Sequence, residues 1–151
     1  MTASLADSPL HQTKKLKEWT HPPQRILVVE DDADTRKVYS TVLLRSGYQV
    51  DTAEDGEAGW QVLHGVSYSP DSYDLLITDN QMPKLSGVEL IQKLRSAQIT
   101  LPVILASGTV PINTEQLRLD AVLRKPFSPD QLVQTVKEVL HTAQSERKFL
   151  E

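Results

Sequence analysis

Four short apolar runs in this chain do not alternate with polar residues: Ile26-Leu27-Val28-Val29, Leu75-Leu76-Ile77, Val103-Ile104-Leu105-Ala106 and Ala121-Val122-Leu123. A strand with one wet face alternates, so a continuous run of this length points to a strand buried on both faces. Such strands belong to parallel sheets, and parallel neighbours need crossover connections that are usually helical. The intervals supply them. A helix is expected after Asp32 or Asp34, with Val38, Tyr39, Val42 and Leu43 on its buried face and Gly47 as its stop. Tyr48 to Ala53 reads as a short second strand, and Asp55 caps a helix from Gly56 to about His64, with Ala58 and Leu63 inward.

Ser86 and Glu89 form a capping box for a helix running to about Ala97, with Val88, Ile91 and Leu94 on one face. Ser128, Pro129 and Gln131 open the last helix in the same way, and Leu132, Val133, Val136, Val139 and Leu140 give its stripe. Between Thr109 and Asp120, Pro111 leaves room for one or two turns, from Asn113 to Leu119. The expected architecture is a three-layer α/β sandwich, with about five helices on the two faces of a five-stranded parallel sheet.

The chain's 151 residues suit one domain with a real core. Residues 1–24 read as a flexible tail: Pro9, Pro22 and Pro23 punctuate it, and Lys14, Lys15 and Lys17 cluster beside Leu16 and Trp19. A docking segment is the sharper reading of that cluster. Gly65 to Ser72 is a loop, the folded unit is expected over residues 25–143, and residues 144–151 are expected to fray. There is no cysteine, which excludes disulfides and thiolate chemistry. No apolar run approaches the roughly 20 residues that span a bilayer, and no secretory segment is visible, so a cytoplasmic protein is expected. The net charge of -4 argues against a general nucleic-acid surface.

In a parallel sheet all strands point one way, and ligands bind beyond their C-terminal ends. Four of the five strand ends deliver reactive groups to that edge: Glu30-Asp31-Asp32, Asp79, Ser107 and Lys125. Asn80-Gln81-Met82-Pro83 then leads away from Asp79 as a loop. Crowded carboxylates repel unless a cation is present. An oxygen-only, sulfur-free site suits a hard cation, Mg2+ first. Asp79 is central, which makes it the candidate nucleophile for an acyl phosphate. Lys125 would supply positive charge, Ser107 a hydrogen-bond donor, and Gln81 a backbone carbonyl for the metal. The four histidines, His11, His21, His64 and His141, read as surface residues.

With these residues in place, the chain resembles the receiver domain of two-component response regulators, in a stand-alone form like the chemotaxis receivers. The matching stretches are Ile26 to Asp32, Asp74 to Pro83, Pro102 to Gly108 and Lys125-Pro126-Phe127, covering roughly Arg25 to His141. The resemblance implies a flavodoxin-like receiver fold, with Asp79 as phosphoacceptor. Glu30, Asp31, Asp79 and the Gln81 carbonyl would hold Mg2+, and Ser107 and Lys125 would bind the phosphoryl group. It implies a phosphoryl donor that is a phosphohistidine on a sensor histidine kinase or phosphotransfer protein. It also implies a cis Lys125-Pro126 bond, and tuning of phosphate lifetime at Gln81 and Thr109. Such a protein is a signalling module and not an enzyme on an external substrate. It would act on an unidentified downstream protein, without touching DNA or membrane, and homodimerisation is compatible with it.

Two departures stand out. The family usually carries Tyr or Phe three residues before the lysine, where this chain has Val122, and the region of the family's fourth helix is short and holds Pro111. Both belong to the usual output face, so an altered readout is expected. One rival is a receiver scaffold that takes no phosphate and serves only as an interaction module. Another is a haloacid-dehalogenase-like phosphatase. That family needs a second Asp two residues after the nucleophile, where Asp79 is followed by Asn80-Gln81.

Overall fold

Strand β1 (Arg25–Val29) is the first element of the described chain, and β2 (Gln49–Ala53), β3 (Leu75–Asp79), β4 (Val103–Ser107) and β5 (Ala121–Arg124) join it in one sheet. The computed structural model describes residues 22–66 and 72–150, with side chains to residue 146. Most of the tail expected over residues 1–24 therefore lies outside the described residues, as do residues 67–71 of the loop. The strand order is β2-β1-β3-β4-β5 and every pairing is parallel. The chain runs outward from β1 to β2, then crosses back to β3 on the other side of β1. That reversal opens a crevice at the C-terminal ends of β1 and β3, where the sheet's covering connections part.

Helices α1 (Ala33–Arg45), α2 (Gly56–Val66), α3 (Gly87–Ser96) and α4 (Pro129–Leu150) supply the crossovers. The apolar runs do not alternate because both faces of the sheet are covered. Leu27, Val29, Leu76, Val103 and Leu105 point to one face, against Leu63, Leu90, Ile91 and Leu94 of α2 and α3. Ile26, Val28, Leu75, Ile77 and Ile104 point to the other, against Leu43 of α1 and Leu132 and Val136 of α4. Each such side chain contributes on the order of 1.5–3 kcal/mol when fully buried.

Local chemistry sets the ends. Asp32, not Asp34, caps α1: its carboxylate accepts the Thr35 N–H at 2.9 Å. Gly47 follows the helix at φ 98°, a left-handed conformation that favours glycine. The capping boxes of Ser86 with Glu89 and Ser128 with Gln131 both form. Val38 departs from expectation and is 49% exposed. Its face of the sheet is shared with α4, which leaves α1 a narrower strip of Tyr39, Val42 and Leu43 to bury.

The connection from β4 to β5 holds a single 3₁₀ turn, Glu115–Leu117, in place of a helix. Arg95 pins it. From the last turn of α3 its guanidinium donates to the carbonyls of Leu117 (2.8 Å), Arg118 (3.1 Å), Ile99 (2.9 Å) and Leu101 (2.9 Å). Two of these carbonyls, Leu117 and Arg118, belong to the turn, so one side chain satisfies backbone groups that a longer helix there would have paired internally.

Candidate functional site

The five strand ends converge as the alternation of strands and crossovers requires. Glu30 follows β1 and is buried, while Asp31 beside it is exposed. Asp79 is the last residue of β3 and Ser107 the last of β4. Lys125 comes one residue after β5. Carboxylate oxygens of Glu30, Asp31 and Asp79 all lie within 4.8 Å of one another. The Lys125 Nζ stands 3.1 Å from Asp79 Oδ1 and 3.4 Å from Glu30 Oε1. One ammonium is therefore shared by two carboxylates.

Glu30 bears the strain of that arrangement. Burial, then the nearby Asp79 charge, push its carboxyl up to about 7, and Lys125 only partly offsets them. Its Oε2 is buried without a hydrogen-bond partner, and a buried acceptor left unpaired is costly. Burial by itself would lower the Lys125 ammonium, but its hydrogen bond to Asp79 and the Glu30 and Asp79 charges raise it above the ordinary lysine value. Lys125 is thus a permanent cation, and the cluster still lacks positive charge.

The backbone around Asp79 is tightly built. The Asn80 N–H donates to Asp79 Oδ1 at 2.9 Å, and the Thr78 hydroxyl donates to the Asp79 carbonyl at 2.9 Å. The Asn80 side chain turns the other way and accepts the Val88 N–H at 3.1 Å. Gly87 passes directly under this turn: a Cβ there would lie 2.2 Å from the Asp79 carbonyl oxygen. Only glycine lets α3 start so close to the end of β3. Gly87 lies inside the Ser86 capping box, and that spacing was the available hint of the close approach.

Ser107 is buried, and its hydroxyl donates to the Thr109 carbonyl at 2.6 Å. Gln81 is exposed on the loop two residues past Asp79. The Lys125-Pro126 bond is cis. Val122 on β5 is 37% exposed. Sequence reasoning gave no role to Arg36 or Lys84, and it placed Tyr39 on a buried face without its stacking partner. Arg36 of α1 donates to the Glu30 carbonyl at 2.6 Å and holds the turn that carries the acids. Tyr39 of α1 stacks on Phe127, with ring centroids 5.4 Å apart. Lys84 pairs with Asp55 at 3.6 Å and ties the loop after β3 to the start of α2.

Comparison with known proteins bears on this geometry. A sequence profile described as the response regulator receiver domain matches residues 26–137. The chain is 31% identical over 120 residues to the cell cycle transcriptional regulator CtrA of Caulobacter vibrioides, covering 77% of this chain and 50% of that protein. It spans from 18% to 60% of the length of the curated relatives it matches. Among solved structures, the chemotaxis response regulator CheY4 of Vibrio cholerae superposes with a TM-score of 0.67 at 26% identity, covering 78% of this chain and 98% of that one. The response regulator protein TrrA of Thermotoga maritima, in complex with Mg2+ and BeF, superposes with a TM-score of 0.66 at 30% identity, covering 77% and 98%. Fold, strand-end chemistry and profile agree: the chain belongs to the response regulator receiver domain family, the phosphoacceptor module of two-component signalling.

Proposed function

We propose that Asp79 is the phosphoacceptor and that residues 25–143 work as one receiver unit with residues 1–24 as its tail. The observation that carries the reading is the shared ammonium of Lys125, 3.1 Å from Asp79 Oδ1 and 3.4 Å from Glu30 Oε1. The donor is a phosphohistidine of a sensor kinase or phosphotransfer protein. An Asp79 carboxylate oxygen attacks phosphorus, a P–O bond forms, and the P–N bond of the ring-protonated phosphohistidine breaks. Neutral imidazole leaves. Lys125 then holds a phosphoryl oxygen, and the Ser107 hydroxyl turns from the Thr109 carbonyl to donate to another. Gln81 and Thr109 flank the acyl phosphate and tune its lifetime.

The residues present fit a divalent cation: three carboxylates converge and the buried Glu30 Oε2 has no protein partner. Glu30, Asp31, Asp79 and the Gln81 carbonyl would hold Mg2+. When bound, it neutralises charge on the phosphoryl oxygens. The chain acts as a signalling module in the cytoplasm and passes its state to a partner protein, without acting on an external substrate or reading DNA itself. Among the described residues no helix is long and apolar enough to cross a membrane.

The test is intact-protein mass after incubation with acetyl phosphate. A Mg2+-dependent gain of one phosphoryl group is expected, and Asp79→Asn should abolish it. An adduct that survives in Asp79→Asn overturns the assignment. No adduct from either acetyl phosphate or a panel of phosphohistidine donors favours the alternative reading, an interaction module on a receiver scaffold.

A further inference from the structure

Lys125 is followed directly by Pro126 and Phe127, and the Phe127 ring lies on Tyr39 with planes 25° from parallel. Proline fixes its own φ, which removes one soft torsion between Lys125 and Phe127. Phe127 lies two residues along, so a shift of the Lys125 backbone also moves the base of the Phe127 ring. Helix α1 is tied to the site a second time, one turn before Tyr39, through the 2.6 Å bond from Arg36 to the Glu30 carbonyl. Tyr39 is half-buried and close enough to feel the charges of Lys125, Glu30 and Asp79. At Val122, by contrast, there is no ring to move.

We propose that Tyr39, stacked on Phe127, is the residue that passes the state of the site to the face built by α1 and α4. The inference rests on the reading of Asp79 as the acceptor. In the unmodified protein the Lys125 ammonium is divided between two carboxylates. A phosphoryl group on Asp79 places new negative charge beyond the strand end, and the ammonium follows it. Phe127 moves with the Lys125 backbone, and Tyr39 either follows to keep a stack worth about 0.5–1.5 kcal/mol or loses it. Either way the relation of α1 to α4 changes. Three residues past Tyr39 and two past Phe127, these helices line a groove of about 460 Å³ that includes Val42, Arg45, Pro129 and Val133. The stack lies just before it on both walls. In this chain the readout thus moves from the β5 side of the sheet edge to the α1–α4 face.

The experiment is solution NMR of the full chain, with Mg2+ and beryllofluoride as the phosphoryl mimic. In the wild type, amide shifts at Asn80 and Ser107 report the filled site, and shifts at Tyr39, Val42, Arg45 and Val133 report the relay. Tyr39→Leu should keep the Asn80 and Ser107 shifts and cut those at Val42, Arg45 and Val133 at least threefold. Phe127→Leu should do the same from the other side of the stack. Tyr39→Phe should restore the wild-type response, because the ring and not the hydroxyl makes the contact. Wild-type shifts at Val42, Arg45 and Val133 in both leucine variants would overturn the relay, as would wild-type responses confined to residues 108–118. No shift at Asn80 and Ser107 in the wild type would sink the acceptor reading itself, and the relay with it.

Discussion

The two ends of β1 handle charge in opposite ways. At its start, Arg25 pairs with Asp51 at 3.0 Å, its backbone N–H donates to Asp74 at 2.8 Å, and its guanidinium lies 4.7 Å over the Tyr73 ring. The Tyr73 hydroxyl donates to the same Asp51 at 2.6 Å, and burial with that bond pushes it up to about 12. Each of these side chains has a hydrogen-bond or charge partner. At its end, Glu30 and Asp79 share one lysine beside the Asp31 carboxylate, and Glu30 Oε2 is buried with no hydrogen-bond partner. Buried polar groups are normally satisfied, so the unsatisfied end is where the fold gives up stability for chemistry.

Removing charge should therefore have opposite effects at the two ends. The largest effect is expected for Glu30→Gln. Without divalent cation at pH 8 it should stabilise the protein by about 2 kcal/mol, since it replaces a carboxylate whose ionisation burial and Asp79 oppose. The same variant should weaken Mg2+ binding at least tenfold. Chemical denaturation in chelator and a Mg2+ titration check both. A destabilised Glu30→Gln would mean that Lys125 already satisfies the cluster.

The pH profile gives the same comparison in the wild type. Glu30 is raised to about 7 in the fold from an ordinary value near 4.5. The folded state then holds its proton more tightly than the unfolded state. The associated stability is present below about pH 4.5 and is lost as pH rises through about 7. In chelator, the melting temperature should fall across that window, and Glu30→Gln should flatten the fall. A wild-type profile already flat there would remove the case for strain at Glu30.

At the other end, Asp51→Asn should cost about 1 kcal/mol, because Tyr73 and Arg25 both lose a charged partner that is half in solvent. Its Mg2+ affinity should match wild type, and a changed affinity would join the two ends that are held here to be independent. The smallest effect is expected for Lys84→Ala. Its bridge to Asp55 is long and the lysine is 68% exposed, so denaturation should register less than about 0.5 kcal/mol.

Much of this was legible in the sequence, for a physical reason. A parallel sheet aligns its strand ends, so Glu30, Asp79, Ser107 and Lys125 could be brought together from one-dimensional position alone. Pro111 likewise announced that the β4–β5 connection would hold no full helix. What could not be read depends on side-chain direction. Periodicity put Val38 in the core because it cannot tell how α1 and α4 divide one face. Nothing in the spacing of Arg95 says that it reaches four carbonyls across a loop, or that Arg36 grips the turn at Glu30. The pairing of Tyr39 with Phe127 joins residues far apart in the chain, and only packing brings them together.

Helix α4 runs from Pro129 to Leu150, 22 residues, where β1 beside it has five. At 1.5 Å per residue it is about 33 Å long. It is a lever whose short end lies two residues from Phe127. A tilt of about 5° at that end would sweep the far end through roughly 3 Å, more than the side-chain shift that started it. A partner gripping the tip of α4 would thus read an amplified copy of a displacement that begins at Lys125.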